Sequence, residues 1–399
     1  MTKTTPAATQ RFDGVDVLRG LSIAFVVLLH SWIRFAGYHH NFSKGLMPRW
    51  AFSLLFGNGE YGVTVFFAVS GFLITTTSLR RFGGLHRVVP RVFYRIRFAR
   101  IAPLLLASLF VLGVLHFAHV DGFVIKQVSY WRAALSALTF HLNWLEATRG
   151  YLPANWDVMW SLSIEEMFYV FFPLVCAYIL RWKHGMWVVL ALLVALVILA
   201  PFGRTMWAKD DIAAEKSYLG GMGSIALGCM TAMLLDRWQR HDRVPGDGKL
   251  LALAWAGGAL MVFATGQFHL QTMRPLTHWI AVRDLDDSLL TLGTCMVMLG
   301  LVARNRAGCR ILAPVRWLGR LSYEVYMTHE FVVIAIVDLA LLVGRRTGGR
   351  GFHHGLLAWV ALIMLLSAAL GWLVARYFSE PMNRRLRGAP HPAELPVAG

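Results

Sequence analysis

Hydrophobic residues in this chain fall into long blocks that recur from one end of the sequence to the other. Each block holds roughly 16 to 24 residues, about the length that an α-helix needs to cross a bilayer. The first block follows a polar N-terminal stretch that lacks the pattern of a cleaved signal peptide, so we expect it to be a retained span. The pattern predicts ten membrane-spanning helices, at residues 17–36, 58–79, 99–119, 158–180, 186–203, 217–235, 250–266, 288–303, 321–343 and 355–378.

One further apolar segment, residues 133–145, is too short to cross a hydrocarbon core of roughly 30 Å. We therefore expect it to form a re-entrant or surface helix on the outer face. Arginine-rich loops, above all residues 79–100, favour the cytoplasmic side of the membrane. Alternation of the spans then puts both termini in the cytoplasm. The predicted fold is all-α and polytopic, with residues 1–388 as one membrane-embedded domain and residues 389–399 as a flexible tail.

Composition supports the same class of protein. Of 399 residues, 57% are hydrophobic and only 15% are charged, which excludes an ordinary soluble domain. The net charge of +17 would suggest nucleic acid as a partner of a soluble protein. Here the basic residues lie in short loops between spans, where they orient a membrane protein, so we expect no nucleic-acid partner. The four cysteines form no C-x-x-C pair, and we predict packing roles for them and no metal site.

The first span carries an arginine and a histidine at a helical spacing. Arg19 and His30 are eleven residues apart, which on an α-helix is within roughly 20° of three full turns and about 16 Å of rise. Both side chains would therefore lie on one face, as suits a long ligand that is anionic at one end and reacts at the other. Two simpler interpretations remain: Arg19 as a snorkelling anchor and His30 as a hydrogen-bond partner of a neighbouring helix.

Other polar residues in or beside the spans are candidates for the same site, because a buried ionisable group in a membrane is costly. Glu165 and Glu166 begin the fourth span and point about 100° apart, so only one of them can face a given site. A carboxylate beside His30 would orient its imidazole. Arg97 and Arg100 are neighbours on one helix face and can bind phosphate, although positive-inside signalling also explains arginines there.

Several motifs together resemble the membrane acyltransferase-3 family. The stretch "FDGVDVLRGLSIAFVVLLH" is similar to the family's Arg-x10-His signature, on Arg19 and His30, and "RIRFARIAP" to its Arg-x-x-Arg element, on Arg97 and Arg100. The stretch "WSLSIEEMFYVFFPL" resembles the family's Glu-Glu segment and puts its key glutamate on Glu165. "LSYEVYMTHEF" and "YFSEPMNRRL" resemble two elements near the C-terminal end, and the five motifs occur in the family's order.

The resemblance implies acyl transfer from acyl-CoA, by default acetyl-CoA, to a hydroxyl of a cell-surface or secreted carbohydrate. It implies a multi-pass protein of the bacterial inner membrane whose partners are the donor, a carbohydrate or glycolipid acceptor and the lipid bilayer. No cofactor is expected to stay bound, since acyl-CoA is a substrate. The alternative function is a transporter or flippase of a polar or lipid-linked sugar, which would use the same buried charges without a thioester.

The resulting hypothesis puts donor binding at one end of the helix bundle and proton abstraction at the other. Arg19, Arg97 and Arg100 hold the CoA phosphates at the cytoplasmic mouth, and His30 takes the proton of the acceptor hydroxyl while Glu165 orients its imidazole. General-base catalysis and an acyl-histidine intermediate both remain open. The wall of the site is expected to include Glu166, Trp160, Ser163, Ser70 and His329.

Overall fold

A computed structural model describes residues 12–38, 47–206, 210–265, 285–304, 308–346 and 352–388. Within these residues the regular structure is entirely helical. The sixteen α-helices are α1 (Asp13–Gly37), α2 (Arg49–Phe56), α3 (Gly59–Phe82), α4 (Pro90–Phe117), α5 (Tyr130–Leu138), α6 (Leu142–Arg149), α7 (Asn155–Tyr178), α8 (Gly185–Thr205), α9 (Asp211–Glu215), α10 (Tyr218–Arg240), α11 (Asp247–Ala264), α12 (Asp286–Val302), α13 (Ala313–Arg320), α14 (Ser322–Arg346), α15 (Phe352–Val374) and α16 (Glu380–Arg387).

Nine helices in the described part of the chain are long and apolar enough to cross a membrane, which confirms a polytopic all-α fold. They are α1, α3, α4, α7, α8, α10, α11, α14 and α15. The eighth predicted span, residues 288–303, coincides with α12, whose 17 residues extend about 26 Å and fall short of a roughly 30 Å core. Its first turn holds Asp286 and Asp287, which accept hydrogen bonds from Tyr61 and Thr64 of α3. The predicted tail, residues 389–399, lies outside the described residues.

The segment predicted as one short helix, residues 133–145, instead forms the pair α5 and α6. Phe140 separates the two helices and adopts a left-handed conformation, with φ of 57°, which reverses the chain. Trp131 and Trp144 project from the pair and are 72% and 51% exposed. Amphipathic rings of this kind are typical of the boundary between lipid and water. The pair is therefore a surface hairpin rather than a span.

Close contacts between helix backbones fix the positions of α1 and α3. Gly71 of α3 lies so near α10 that an added Cβ would be 1.9 Å from the carbonyl oxygen of Ile225. Gly228 of α10 makes the reciprocal contact with the carbonyl of Ala68. Small residues allow membrane helices to approach in this way. Gly319 of α13 packs equally closely on α1, and α14 begins directly after α13, so α1 and α14 lie side by side.

Candidate active site

The face of α1 that carries Arg19 and His30 is turned toward α14. Nε and Nη2 of Arg19 donate hydrogen bonds of 3.1 and 2.8 Å to Oγ of Ser322. Three turns further along, Nδ1 of His30 lies 2.8 Å from Nε2 of His329. Neither side chain points into lipid, since 16% of the Arg19 side chain and 19% of the His30 side chain are exposed. The eleven-residue spacing therefore directs both groups into the protein.

The hydrogen bonds of His329 define the proton positions on both imidazoles. Its Nδ1 lies 2.8 Å from the carbonyl oxygen of Tyr326, and a carbonyl only accepts, so this nitrogen carries the proton. In a neutral ring Nε2 of His329 is then an acceptor, and the proton between the rings belongs to Nδ1 of His30. The remaining lone pair of His30 is on Nε2. That nitrogen is the one able to take a proton from a substrate.

Glu330 completes this cluster from the next position of α14. Its Oε1 lies 3.5 Å from Nδ1 of His30 and 3.8 Å from Nε2 of His329. The carboxylate is therefore placed to stabilise a positive charge on either ring. The three groups would also suit a divalent metal by donor type and lie within 4.8 Å of one another. The separation of 2.8 Å between the two nitrogens is that of a hydrogen bond, which needs the proton that a metal would displace.

Glu165 has other partners than the expected one. Its Oε1 accepts a hydrogen bond of 2.7 Å from Ser70, and its Oε2 lies 3.3 Å from Nη2 of Arg97. The groups that contact His30 are His329 and Glu330, so the expectation that Glu165 orients the imidazole is wrong. The reason is depth: Glu165 lies nearly three turns inside α7, opposite Arg97 of α4, and not at the histidine end.

Arg97 binds both adjacent glutamates. Nε of Arg97 donates a 2.7 Å hydrogen bond to Oε1 of Glu166, and Nη2 lies 2.5 Å from the same oxygen. Its guanidinium also stacks 4.2 Å from the ring centre of Tyr169. Of the two, Glu165 lines the cavity described below and Glu166 does not, in line with the expectation that only one of them faces the site. Although they diverge by about 100°, a long forked arginine between them reaches both.

A cavity of about 450 Å³ lies between α3, α4, α7 and α14. On α3 its wall extends from Val63 to Phe82, nineteen residues further along, which corresponds to about 28 Å. The cavity is therefore long and crosses most of the membrane-spanning height of the bundle. Its lining is apolar at the centre, through residues such as Phe66 and Ile96, and arginine-rich at one end.

The cavity joins the two halves of the candidate site. Arg19, Arg97 and Arg100 line it, together with Glu165 and Ser70. Its inner part is lined by Tyr326 and Ser161, whose hydroxyl groups are 2.8 Å apart. The ring of Tyr326 lies 6.0 Å from the ring of His329 between centroids. One layer of side chains therefore separates the cavity from the histidine pair.

Four of the five expected wall residues do not line the cavity: Glu166 and His329, whose contacts are given above, and Ser163 and Trp160. Ser163 is buried and accepts a hydrogen bond from the backbone of Leu142, so it fastens α6 to α7. Trp160 is buried against the ring of Phe67 and lies beside the amino group of Lys216, 5.8 Å from its ring centre. Both residues support the bundle without lining the cavity. Ser70 is the wall residue that the cavity does include.

A buried lysine near the histidine end was not anticipated from the sequence. The side chain of Lys216 is 0% exposed, and its Nζ lies 2.7 Å from Glu146 and 2.5 Å from Asp157. These contacts tie the surface hairpin to the start of α7. In the sequence, Lys216 lies between polar residues and an apolar block, as a lysine at the membrane boundary does. The acids that it binds are 70 positions (Glu146) and 59 positions (Asp157) away in the sequence. The sequence therefore holds no local signal for this cluster.

Fold and site together define a multi-pass membrane protein whose helices enclose a long, arginine-lined cavity beside a histidine pair. Comparison with known proteins assigns the family. The family model described as an acyltransferase domain, acyltransferase 3, matches residues 12–377. The chain therefore belongs to the acyltransferase-3 family, as its five motifs predict.

The chain is similar to several curated proteins. Peptidoglycan O-acetyltransferase OatA of Listeria monocytogenes is 23% identical over 84% of this chain and 51% of its own length. O-acetyltransferase OatA of Staphylococcus aureus is 21% identical, over 93% of this chain and 57% of its own length. Exopolysaccharide production protein ExoZ of Rhizobium meliloti is 29% identical over 78% of this chain and 89% of its own length. The chain thus spans little more than half of the OatA proteins. No solved structure matches it.

Proposed function

We propose that this protein is an integral membrane O-acetyltransferase that moves an acetyl group from acetyl-CoA to a hydroxyl of a cell-surface carbohydrate. The observation that carries the proposal is the cavity, because it begins among arginines and ends one side-chain layer from His329, the hydrogen-bond partner of His30. An anionic, elongated thioester fits that distribution of charge and length. The names of the relatives, which refer to O-acetylation or exopolysaccharide production, support a carbohydrate acceptor.

The proposed orientation has the arginine end of the bundle at the cytoplasmic face of the bacterial inner membrane. Arg80, Arg81 and the arginines at the start of α4 lie at this end, as the preference of basic residues for the cytoplasm requires. Acetyl-CoA would then enter from the compartment in which it is made. His30 would face the opposite side, where the carbohydrate hydroxyl arrives.

The proposed reaction uses the free lone pair of His30. Nε2 takes the proton of the acceptor hydroxyl as its oxygen attacks the thioester carbonyl carbon. The tetrahedral intermediate collapses with cleavage of the carbon–sulfur bond, and the leaving thiolate takes the proton back, so that an ester and free CoA thiol are formed. His329 accepts from Nδ1 of His30 throughout, and Glu330 stabilises the imidazolium. Such a base typically contributes about 10²–10⁴-fold to the rate.

An acyl-histidine route uses the same atom as a nucleophile. Nε2 would first displace the thiolate, and the acceptor would then take the acetyl group from the ring. Rapid quenching with radiolabelled acetyl-CoA in the absence of acceptor distinguishes the routes. Label bound to the protein and lost on substitution of His30 indicates the acyl-enzyme, and its absence indicates direct transfer.

The function is tested by release of CoA thiol in membranes that contain the protein. Acetyl-CoA and the carbohydrate fraction of the native cell envelope are supplied, and alkali-labile acetyl on the carbohydrate is measured alongside the thiol. We expect equimolar thiol and ester with the parent protein and neither with His30→Ala at equal abundance. Movement of carbohydrate across the membrane without consumption of thioester would instead identify a transporter and overturn the proposal.

A further inference from the structure

A second cavity lies on the surface hairpin formed by α5 and α6. Its volume is about 490 Å³, and its walls come from these two helices and from His141 between them. None of its lining residues also lines the long cavity of the bundle. The proposed acetyl transfer therefore gives this hairpin cavity no role.

Two arginines lie at the same end of the hairpin cavity. Arg132 is in the first turn of α5 and Arg149 is the last residue of α6, so both are distant from the turn at Phe140. Both residues line the cavity and are exposed. Within the part of the chain that the structure describes, neither guanidinium forms an ion pair. Both groups are therefore available to an anion.

The hairpin has no exposed acid that would balance these charges. Residues 130–149 include a single acidic residue, Glu146. Glu146 is 0% exposed, and its carboxylate accepts hydrogen bonds from Lys216 and from the backbone N–H of Leu152. Basic residues that orient a membrane protein concentrate at one face, and the arginine-rich start of α4 lies at the opposite end of the bundle. Orientation in the membrane therefore does not explain the arginines of the hairpin.

Exposed apolar side chains beside the arginines are typical of the surface of a bilayer. Trp131, Leu135 and Trp144 are 72%, 60% and 51% exposed, and the last two line the hairpin cavity. The ring centre of Trp131 lies 6.5 Å from that of Phe117, the last residue of the membrane-spanning helix α4. Tryptophan at the end of a span is characteristic of the level at which hydrocarbon meets the headgroups. The cavity thus offers cationic and apolar groups at that level.

We propose that the hairpin cavity binds the phosphate headgroup of an anionic phospholipid of the surrounding bilayer. Guanidinium groups donate paired hydrogen bonds to phosphate oxygens, and Arg132 and Arg149 together can hold one phosphate diester. The acyl chains would extend past Leu135 and Trp144 into the bilayer. The combination of basic and exposed apolar groups favours a lipid over a soluble anion, because it is typical of segments that lie on a membrane.

The bound lipid would anchor the hairpin to the membrane surface. Lys216 joins Glu146 of α6 to Asp157 of α7, so the hairpin is also fastened to the end of the bundle that holds the histidine pair. The lipid site does not depend on acetyl transfer, and lipid binding can be measured without a donor or an acceptor.

The test uses photoreactive phosphatidylglycerol and photoreactive phosphatidylcholine with the same acyl chains and the reactive group close to the glycerol. Each probe is added at the same low fraction to phosphatidylcholine vesicles that contain the full chain. Chymotryptic peptides from residues 130–149 are then analysed for label by mass spectrometry. We expect phosphatidylglycerol to label this segment at least about fivefold more than phosphatidylcholine. Arg132→Gln and Arg149→Gln should each lower that labelling about fivefold.

Lys126→Gln is the matched control, because Lys126 is exposed near the start of the hairpin and does not line the cavity. This variant should keep the parent labelling. Both arginines are exposed, so their variants should unfold at the parent temperature in neutral detergent, and each tests the site without the other. Equal labelling by the two lipids, or undiminished labelling of the doubly substituted protein, would overturn the proposal.

Competition identifies the source of the anion. Unlabelled phosphatidylglycerol should displace the probe, whereas inorganic phosphate and polygalacturonate at the same concentration should not. Displacement by inorganic phosphate would identify a site for a soluble anion, and displacement by polygalacturonate would identify a site for an acidic glycan. Either result would overturn the assignment to a phospholipid.

Discussion

At the residue scale, the reactivity proposed for His30 depends on one chain of hydrogen bonds. The carbonyl of Tyr326 fixes the proton on Nδ1 of His329, and Nε2 of His329 in turn accepts a hydrogen bond from Nδ1 of His30. A flip of either ring would break this chain and permit the other tautomer of His30, in which Nε2 carries the proton and the lone pair is on Nδ1. His329 is therefore a positioning residue, which acts on the substrate through its neighbour.

Replacement of His329 with Leu should lower kcat and leave KM for acetyl-CoA near the parent value. The leucine removes the acceptor for Nδ1 of His30 but is remote from the arginine end. We expect a loss of at least about tenfold, part of the 10²–10⁴-fold that a general base supplies. Steady-state kinetics measure it, with His184→Leu at an exposed position as the control. A raised KM with unchanged kcat would contradict this assignment.

Replacement of Arg97 with Gln should destabilise the protein, whereas Arg100→Gln should not. Without the guanidinium, Glu165 and Glu166 become buried carboxyl groups without a cation, and breaking such a pair costs about 3–5 kcal/mol. Arg100 is exposed to the cavity and stacks loosely, 5.9 Å from the ring centre of Tyr323. The apparent unfolding temperature in detergent distinguishes the two variants. Equal unfolding temperatures would show that the ion pairs of Arg97 with Glu165 and Glu166 do not stabilise the fold.

The sequence predicted the residues of the site better than their partners. Arg19 and His30 share a face because 3.6 residues per turn fixes their relation locally. The partner of His30 is 299 positions away, and the partners of Arg97 are about 69 positions away, so both depend on how helices pack. The sequence made Glu165, one of two adjacent glutamates on α7, a plausible partner for His30. In the packed bundle both glutamates contact Arg97 instead.

At the element scale, the cavity depends on α3, which forms its wall along almost the full length of the helix. The position of α3 is fixed by the contact of Gly71 with α10. Hydrophobic patterning predicted the long helices, because each carries a continuous apolar block. It did not predict the division of residues 133–145 into two helices, because the left-handed turn at Phe140 has no glycine to mark it.

Substitution of Gly71 with Ala should push α3 away from α10 and disturb the cavity. The new Cβ would lie 1.9 Å from the carbonyl oxygen of Ile225, and overpacking of this kind costs about 1–3 kcal/mol. We expect a lower unfolding temperature and a higher KM for acetyl-CoA. Gly258→Ala in α11 is the control, because nothing lies within 4 Å of its added Cβ. An unchanged Gly71→Ala protein would show that this close approach is not needed.

At the scale of the whole molecule, the two ends of the bundle are proposed to face different compartments. In sealed vesicles of defined orientation, acetyl-CoA should support transfer only from the side that exposes Arg387 and the arginine-rich start of α4. The acceptor should be modified only on the side of the α5–α6 hairpin. Labelling of a cysteine introduced at exposed Lys183, in a variant whose exposed Cys309 is replaced by Ser, reports the orientation. Transfer with donor and acceptor on the same side would contradict the trans-membrane route.

The overall architecture could be predicted because the bilayer imposes a simple rule on each helix. Length and apolarity identified all nine long helices, and only α12, whose acidic first turn is held by α3, fell short of a full span. The buried cluster around Lys216 could not be predicted in the same way. Its acids come from α6 and α7, and only the folded chain brings them to one lysine.

Donor binding and acetyl transfer are proposed to depend on separate groups of residues, and His30→Gln tests this separation most directly. The purified variant and its parent are compared for equilibrium binding of acetyl-CoA and for acetyl transfer. The account predicts that His30→Gln binds acetyl-CoA with the parent affinity and loses about 10²-fold or more of the transfer rate. A variant that no longer binds the donor, or that transfers acetyl at the parent rate, would contradict it.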